Sequence, residues 1–124
     1  MNFKIDTKEK FTVITPAEGH LSDNLTEELI NTAKEILQKD KSNVVLNLKQ
    51  VKTIDDEAAA KLVTLQQSFY ESNTSFVICE MQTSLEGKFE ELDFLELMNA
   101  TPSESEAWDI VQMEEIEREM FGEE

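Results

Sequence analysis

Three consecutive carboxylates, Asp55, Asp56 and Glu57, form the densest group of chemically capable side chains in the sequence. Ile54 precedes them and three alanines follow, the layout of a strand and loop that feed a helix. Three uses fit such a group. Acids at a helix start favour the macrodipole and accept backbone hydrogen bonds, contributing about 0.3 to 1 kcal/mol each. Carboxylate oxygens also suit a hard cation such as Mg²⁺, although neighbouring residues on a helix start diverge and no distant ligand set accompanies them. The third use is docking of a partner protein, because the loops leaving the C-terminal ends of parallel strands often carry function in α/β folds.

Other catalytic chemistry has little material. His20 is the only histidine and reads as a loop residue, and no serine or cysteine sits in a nucleophile motif. Gly19, Gly87 and Gly122 are the only glycines, too few for a phosphate-binding loop or a dinucleotide fingerprint. The lone Cys79 follows Phe76, Val77 and Ile78 and reads as a buried structural thiol. The sequence therefore predicts a non-enzymatic protein with no cofactor and no metal.

A formal charge of −16 repels phosphate backbones and anionic lipid heads, which disfavours nucleic acid and membrane insertion. Half of that charge falls in the last segment, where nine acids from Glu104 to Glu124 face only Arg118. No apolar run is long enough to span a bilayer, and the first residues lack the layout of a secretory signal, so a cytoplasmic location is expected. A length of 124 residues predicts one domain over 1–124.

The elements that must position the acids follow from periodicity. Phe3 and Ile5, then Phe11 and Val13, alternate with polar neighbours as two half-buried strands of a hairpin around Asp6 to Lys10. Asn24 and Glu27 suggest a capping box for a helix whose stripe is Leu25, Leu29, Ile30, Ala33, Ile36 and Leu37, stopped by the polar turn Lys39 to Asn43. Val44, Val45, Leu46 and Leu48 read as a core strand covered on both faces. A helix then runs from Asp55 through Leu62, Leu65 and Phe69, and Ser75 to Glu80 forms another strand.

Thr83 and Glu86 suggest a second capping box opening a helix through Leu85 and Phe89. A short strand is expected at Leu97 to Ala100. Pro102, Ser103 and Glu106 then open an acidic helix at about 103–120, with Ala107, Trp108, Ile110, Val111, Met113 and Ile116 on its apolar side. Met120 and Phe121 lie beyond that stripe, free to fray or to meet a partner or a second copy. The fold class is α/β, a mixed and largely parallel sheet with an N-terminal hairpin and about four flanking helices.

The order of these elements resembles the STAS domain family of anti-sigma factor antagonists and their relatives. The resembling stretches are Gly19 to Ser22, Val44 to Leu48 with Val51, Ile54 and Asp55, and Leu92 to Phe94. The resemblance implies a switch where the central strand leads into a helix, written Asp-Ser-Ser-Gly in many members. Here those positions read Asp55, Asp56, Glu57 and Ala58, so the usual phosphorylated hydroxyl is replaced by a carboxylate. In the family, a kinase-like anti-sigma factor binds the unphosphorylated antagonist, and phosphate breaks the complex through charge and bulk. Glu57 has about one charge and no hydroxyl, which fits a constitutively released form, a site adapted to another partner, or a scaffold without switching.

The resemblance implies a protein-interaction module for signal transduction and transcription regulation, docking through His20, Ser22, Asp23, Asn24, Asp55, Asp56, Glu57, Ala58 and Lys61 without conventional serine phosphorylation. Its partner would be a kinase-like anti-sigma factor or an ATPase, and a homo-oligomer stays open. The alternative keeps the fold and makes the chain a STAS-like structural subunit of a transporter ATPase or of a multi-copy signalling scaffold.

Overall fold

A computed structural model describes residues 3–40 and 42–121, with Asp40 and Phe121 described by backbone alone. Met1, Asn2, Lys41 in the expected polar turn, Gly122 and the last two residues lie outside the described residues, as does the Phe121 side chain. Strands β1 (Phe3–Thr7) and β2 (Phe11–Pro16) pair antiparallel as the expected hairpin. Strand β2 then pairs in parallel with β4 (Asn43–Asn47), β4 with β6 (Phe76–Cys79), and β6 with β7 (Ala100–Thr101). The five-stranded order is β1-β2-β4-β6-β7. A separate two-stranded parallel ladder joins β3 (His20–Leu21) to β5 (Thr53–Ile54).

Successive strand residues alternate between two cores, as a period of two demands. Ile14, Val44, Leu46, Phe76 and Ile78 face the larger one, filled by Leu29 and Ala33 of α1 (Asp23–Asp40), Leu62 and Phe69 of α2 (Asp56–Glu71), and Leu85 and Phe89 of α3 (Thr83–Glu91). On the opposite face Phe11, Val13, Val45, Val77 and Cys79 meet Ala107 and Val111 of α4 (Glu104–Phe121). Trp108 packs on Phe11 with ring centroids 5.0 Å apart. The two strands of the hairpin are unequal: β2 is buried throughout, whereas β1 is an edge with Ile5 exposed. No described helix is long and apolar enough to cross a membrane.

The ends of α2 and α3 share one local solution. Asn73 and Asp93 adopt left-handed backbone with φ of 62°, and the next amides, of Thr74 and Phe94, return to the carbonyls of Phe69 and Phe89. Short polar side chains tolerate that conformation, so these positions do the work that glycine usually does at a helix end. Ser103 caps α4 as expected, accepting the Glu106 amide at 3.2 Å and donating to its carboxylate at 2.9 Å.

Four sequence expectations need correction. The cap of α1 is Ser22, whose Oγ accepts the Leu25 amide at 3.1 Å, so Asn24 and Glu27 form no box. Helix α3 starts after Gln82 with no side-chain cap, so Thr83 and Glu86 form none either. The stretch expected as a strand at Leu97 to Ala100 is split between a 3₁₀ turn at Leu95–Leu97 and the two residues of β7. Met113 and Ile116, expected on the packed stripe of α4, are each 55% exposed.

Candidate functional site

The β3·β5 ladder builds the site. Leu21 and Ile54 point inward and are buried, which leaves their neighbours His20 and Thr53 outward and side by side. Asp55 follows Thr53 by two residues, so His20 lies within reach of both. Its Nδ1 is 2.7 Å from Thr53 Oγ1 and its Nε2 is 3.0 Å from Asp55 Oδ1. An ionised carboxylate only accepts, so Nε2 carries the proton, and in neutral His20 the Nδ1 accepts from the threonine hydroxyl. His20 is thus a strand residue held by two partners, not the loop residue expected from sequence.

Asp55 occupies the position before the first turn of α2, with φ −69° and ψ 147°, yet its side chain does not cap that helix. Its second oxygen accepts the backbone N–H of Asp23 at 3.0 Å, and its own N–H donates to the Leu21 carbonyl at 3.1 Å. One carboxylate therefore ties β3, the start of α1 and the start of α2 together. Of the helix-start explanation, the hydrogen-bonding part is corrected for Asp55, because the bonds it accepts lie across the fold rather than along its own helix, while its charge still sits at the helix start.

Lys61, four residues after Glu57 on α2, reaches back to α1. Its Nζ is 2.8 Å from Asp23 Oδ1 and also contacts Glu27. The hydrogen bond to Asp23 first, then that to Glu27, holds the ammonium well above its usual range. Asp56 turns the other way, to Lys88 of α3 at 2.6 Å, and this hydrogen bond raises the Lys88 pKa.

The three consecutive carboxylates thus part company. Asp55 is spent on His20 and Asp23, and Asp56 on Lys88. Glu57 is exposed and has no hydrogen bond or ion pair among the described residues. No group of three or more His, Cys, Asp or Glu among the described residues is placed to hold a metal ion. Ala58, expected at the partner surface, is wholly buried in the larger core and offers no side chain to a partner.

The structure brings His20, Ser22, Asp23, Asn24, Asp55, Asp56 and Lys61 to one end of the molecule, with Glu57 beside them. Sequence reasoning missed Thr53, Glu27 and Lys88. For Thr53 a signal existed, since residues two apart on a strand share a face with Asp55. For Glu27 it was the four-residue helical spacing from Asp23, which lets one lysine reach both. Lys88 carried no signal, because its contact with Asp56 depends on how α3 crosses the sheet end.

Comparison with known proteins follows the same outline. A family model described as the STAS domain matches residues 2–107. No curated protein sequence matches the chain. Among solved structures, a candidate anti-sigma factor antagonist from Thermotoga maritima superposes with a TM-score of 0.75 at 18% identity, over 89% of this chain and 94% of the other. An anti-sigma-factor antagonist (STAS) domain protein from Planctomyces limnophilus gives 0.75 at 18% identity, over 89% and 97%. The Bacillus cell fate determinant SpoIIAA in its phosphorylated form gives 0.65 at 14% identity, over 88% and 98%. These likenesses concern the fold.

Proposed function

The chain belongs to the STAS domain family, and we propose that it is a non-enzymatic docking module resembling an anti-sigma factor antagonist, acting on a signalling or transcription partner in the cytoplasm. Its docking surface is the end of the molecule formed by His20, Ser22, Asp23, Asn24, Asp55, Asp56, Glu57 and Lys61. The partner is a protein, in the first instance a kinase-like anti-sigma factor, and binding is not switched by phosphate on the residue at position 57.

The observation that carries this reading is the contrast between Glu57 and its neighbours. Asp55, Asp56 and Lys61 are all held by other side chains or by backbone, so the surface around them is preorganised. Glu57 projects from the first turn of α2 without a partner among the described residues, at the position that by resemblance matches the phosphorylated hydroxyl of many family members. A fixed polar frame around one free carboxylate suits recognition, because little side-chain freedom is lost when a partner docks. Asp23, Glu27, Asp55, Asp56 and Glu57 outnumber Lys61 and Lys88, so the partner's contact surface should be basic.

Affinity capture of the tagged protein from its native lysate tests this, run in parallel for wild type, Glu57→Ser and Glu57→Lys. Recovery of a kinase-like ATPase or anti-sigma protein that Glu57→Lys weakens, together with phosphate gained by Glu57→Ser, supports the reading. If no form recovers a signalling protein, the docking assignment fails; stable recovery of a transporter ATPase would favour a structural-subunit role instead.

A further inference from the structure

The C-terminal half of α4 is turned inside out. Met113, Ile116 and Met120 are 55%, 55% and 66% exposed, and at about 100° per residue they fall within an arc of about 60° on the outer side of the helix. The inner side of the same turns is polar. Glu114 accepts from Ser75 and, at 2.8 Å, from Asn99; Glu115 accepts from Asn43 at 2.7 Å; Arg118 donates to Ser75 at 3.2 Å. Asn43 and Ser75 are 4% and 1% exposed, so these contacts satisfy buried groups at the starts of β4 and β6. The rotation of α4 is therefore fixed, and burying the apolar stripe by turning the helix would strand those groups.

The stripe is bordered by acids. Asp109 lies in line with it, Glu117 and Glu119 flank it on either side, and all three are exposed. It also lies apart from the surface proposed above. It runs on the opposite face of the sheet, beside the N-terminal ends of the parallel strands, and beyond residue 107, where the family match ends. We propose that residues 109–120 of α4 are a second docking strip, which takes a basic amphipathic helix of a partner protein.

The chemistry selects that occupant. A ridge of apolar side chains at i, i+3 and i+7 packs into the groove of another helix with the same repeat, and acidic borders attract Lys and Arg flanking the partner's apolar stripe. A second copy of this chain would set these acids against themselves on a molecule already at −16. An anionic bilayer surface is repelled for the same reason.

The test uses the full chain and a synthetic amphipathic Leu/Lys helix of about five turns, with a scrambled peptide of identical composition as control. Light scattering reads the oligomeric state and amide chemical shifts locate the contact. A monomer should bind the Leu/Lys helix with shifts centred on residues 109–120, and should bind the scrambled peptide at least about tenfold more weakly. Met113→Ser/Ile116→Ser/Met120→Ser should weaken binding at least about tenfold with an unchanged melting temperature. Asp109→Lys/Glu117→Lys/Glu119→Lys, which keeps the apolar stripe, should weaken it comparably. Equal binding of the scrambled peptide, shifts centred elsewhere, or a dimer that the triple serine variant dissociates would each overturn the proposal.

Discussion

Replacing Asp55 tests whether one carboxylate staples the end of the molecule together. The side chain is 45% exposed and His20 50%, so their contact is worth about 0.5 kcal/mol at most surfaces of this kind. The Asp23 N–H bonded to a charged acceptor would contribute about 1.5 to 3 kcal/mol if dry, and about 1 kcal/mol after discounting for solvent. Loss of a negative charge at the start of α2 adds about 0.5 kcal/mol. Asp55→Ala should therefore cost about 2 kcal/mol.

Asp55→Asn separates geometry from charge. The carboxamide keeps one oxygen for the Asp23 N–H, and its NH₂ can donate to His20 Nε2 once the ring shifts its proton to Nδ1 and donates to Thr53. Only the charge is lost, so the cost falls to about 0.5 to 1 kcal/mol. Guanidinium unfolding of both variants, with a double-mutant cycle against His20→Ala, measures these terms. The cycle should return a coupling of about 0.5 kcal/mol. Equal costs for Asp55→Asn and Asp55→Ala, or an Asp55→Ala variant as stable as wild type, would refute the stapling argument.

Two further perturbations follow from the core. Thr26 is fully buried in α1 and its hydroxyl has no hydrogen-bond partner among the described residues. Thr26→Val removes a desolvated hydroxyl at nearly constant shape, so stability should rise by about 1 kcal/mol and the melting temperature by about 4 °C; a loss would mean the hydroxyl is bonded in solution. Burial, then the charges of Glu80 and Glu104, push the Cys79 thiol up from 9.0 to about 12. The unfolded chain releases that proton first, so the thiol's contribution is complete below pH 9 and is lost as pH rises toward 12. The stability of wild type relative to Cys79→Ala should fall across that window by up to about 1.4 kcal/mol per pH unit, and parallel unfolding curves at each pH would exclude it.

What the sequence disclosed was set by hydrophobic periodicity. The β4 run, the stripe of α1 and the alanine-led start of α2 each had one way to bury their apolar side chains, and the structure uses it. The β3·β5 ladder was not legible, because two residues per strand give no period to detect and Thr53 is exposed. The rotation of α4 was misread for a related reason. Met113 and Ile116 follow Ile110 at three-residue spacing and read as one more apolar row, but Asn43 and Ser75 at the strand starts demand polar partners on the inner side, and Glu114, Glu115 and Arg118 supply them. Apolar spacing carries no information about that demand. The candidate site was half legible: the family resemblance put His20 and Asp55 in one docking region, whereas the lysine contacts depended on how the helices cross.

The arrangement also explains which positions have room to vary in the stretch that resembles the family's switch motif. Asp55 matches the leading aspartate of the family pattern, and here three elements depend on its two oxygens. The residue two positions later depends on nothing: Glu57 is exposed on the first turn of α2, where a carboxylate is as favourable to the helix as a hydroxyl or more so. Ala58 replaces the usual glycine inside the larger core, in helical backbone that requires no positive φ, so a methyl group fills space and favours the helix by about 1 kcal/mol. Neither replacement disturbs the Asp55 frame. A hydroxyl can therefore be exchanged for a fixed charge at position 57 while the surface that surrounds it keeps its shape.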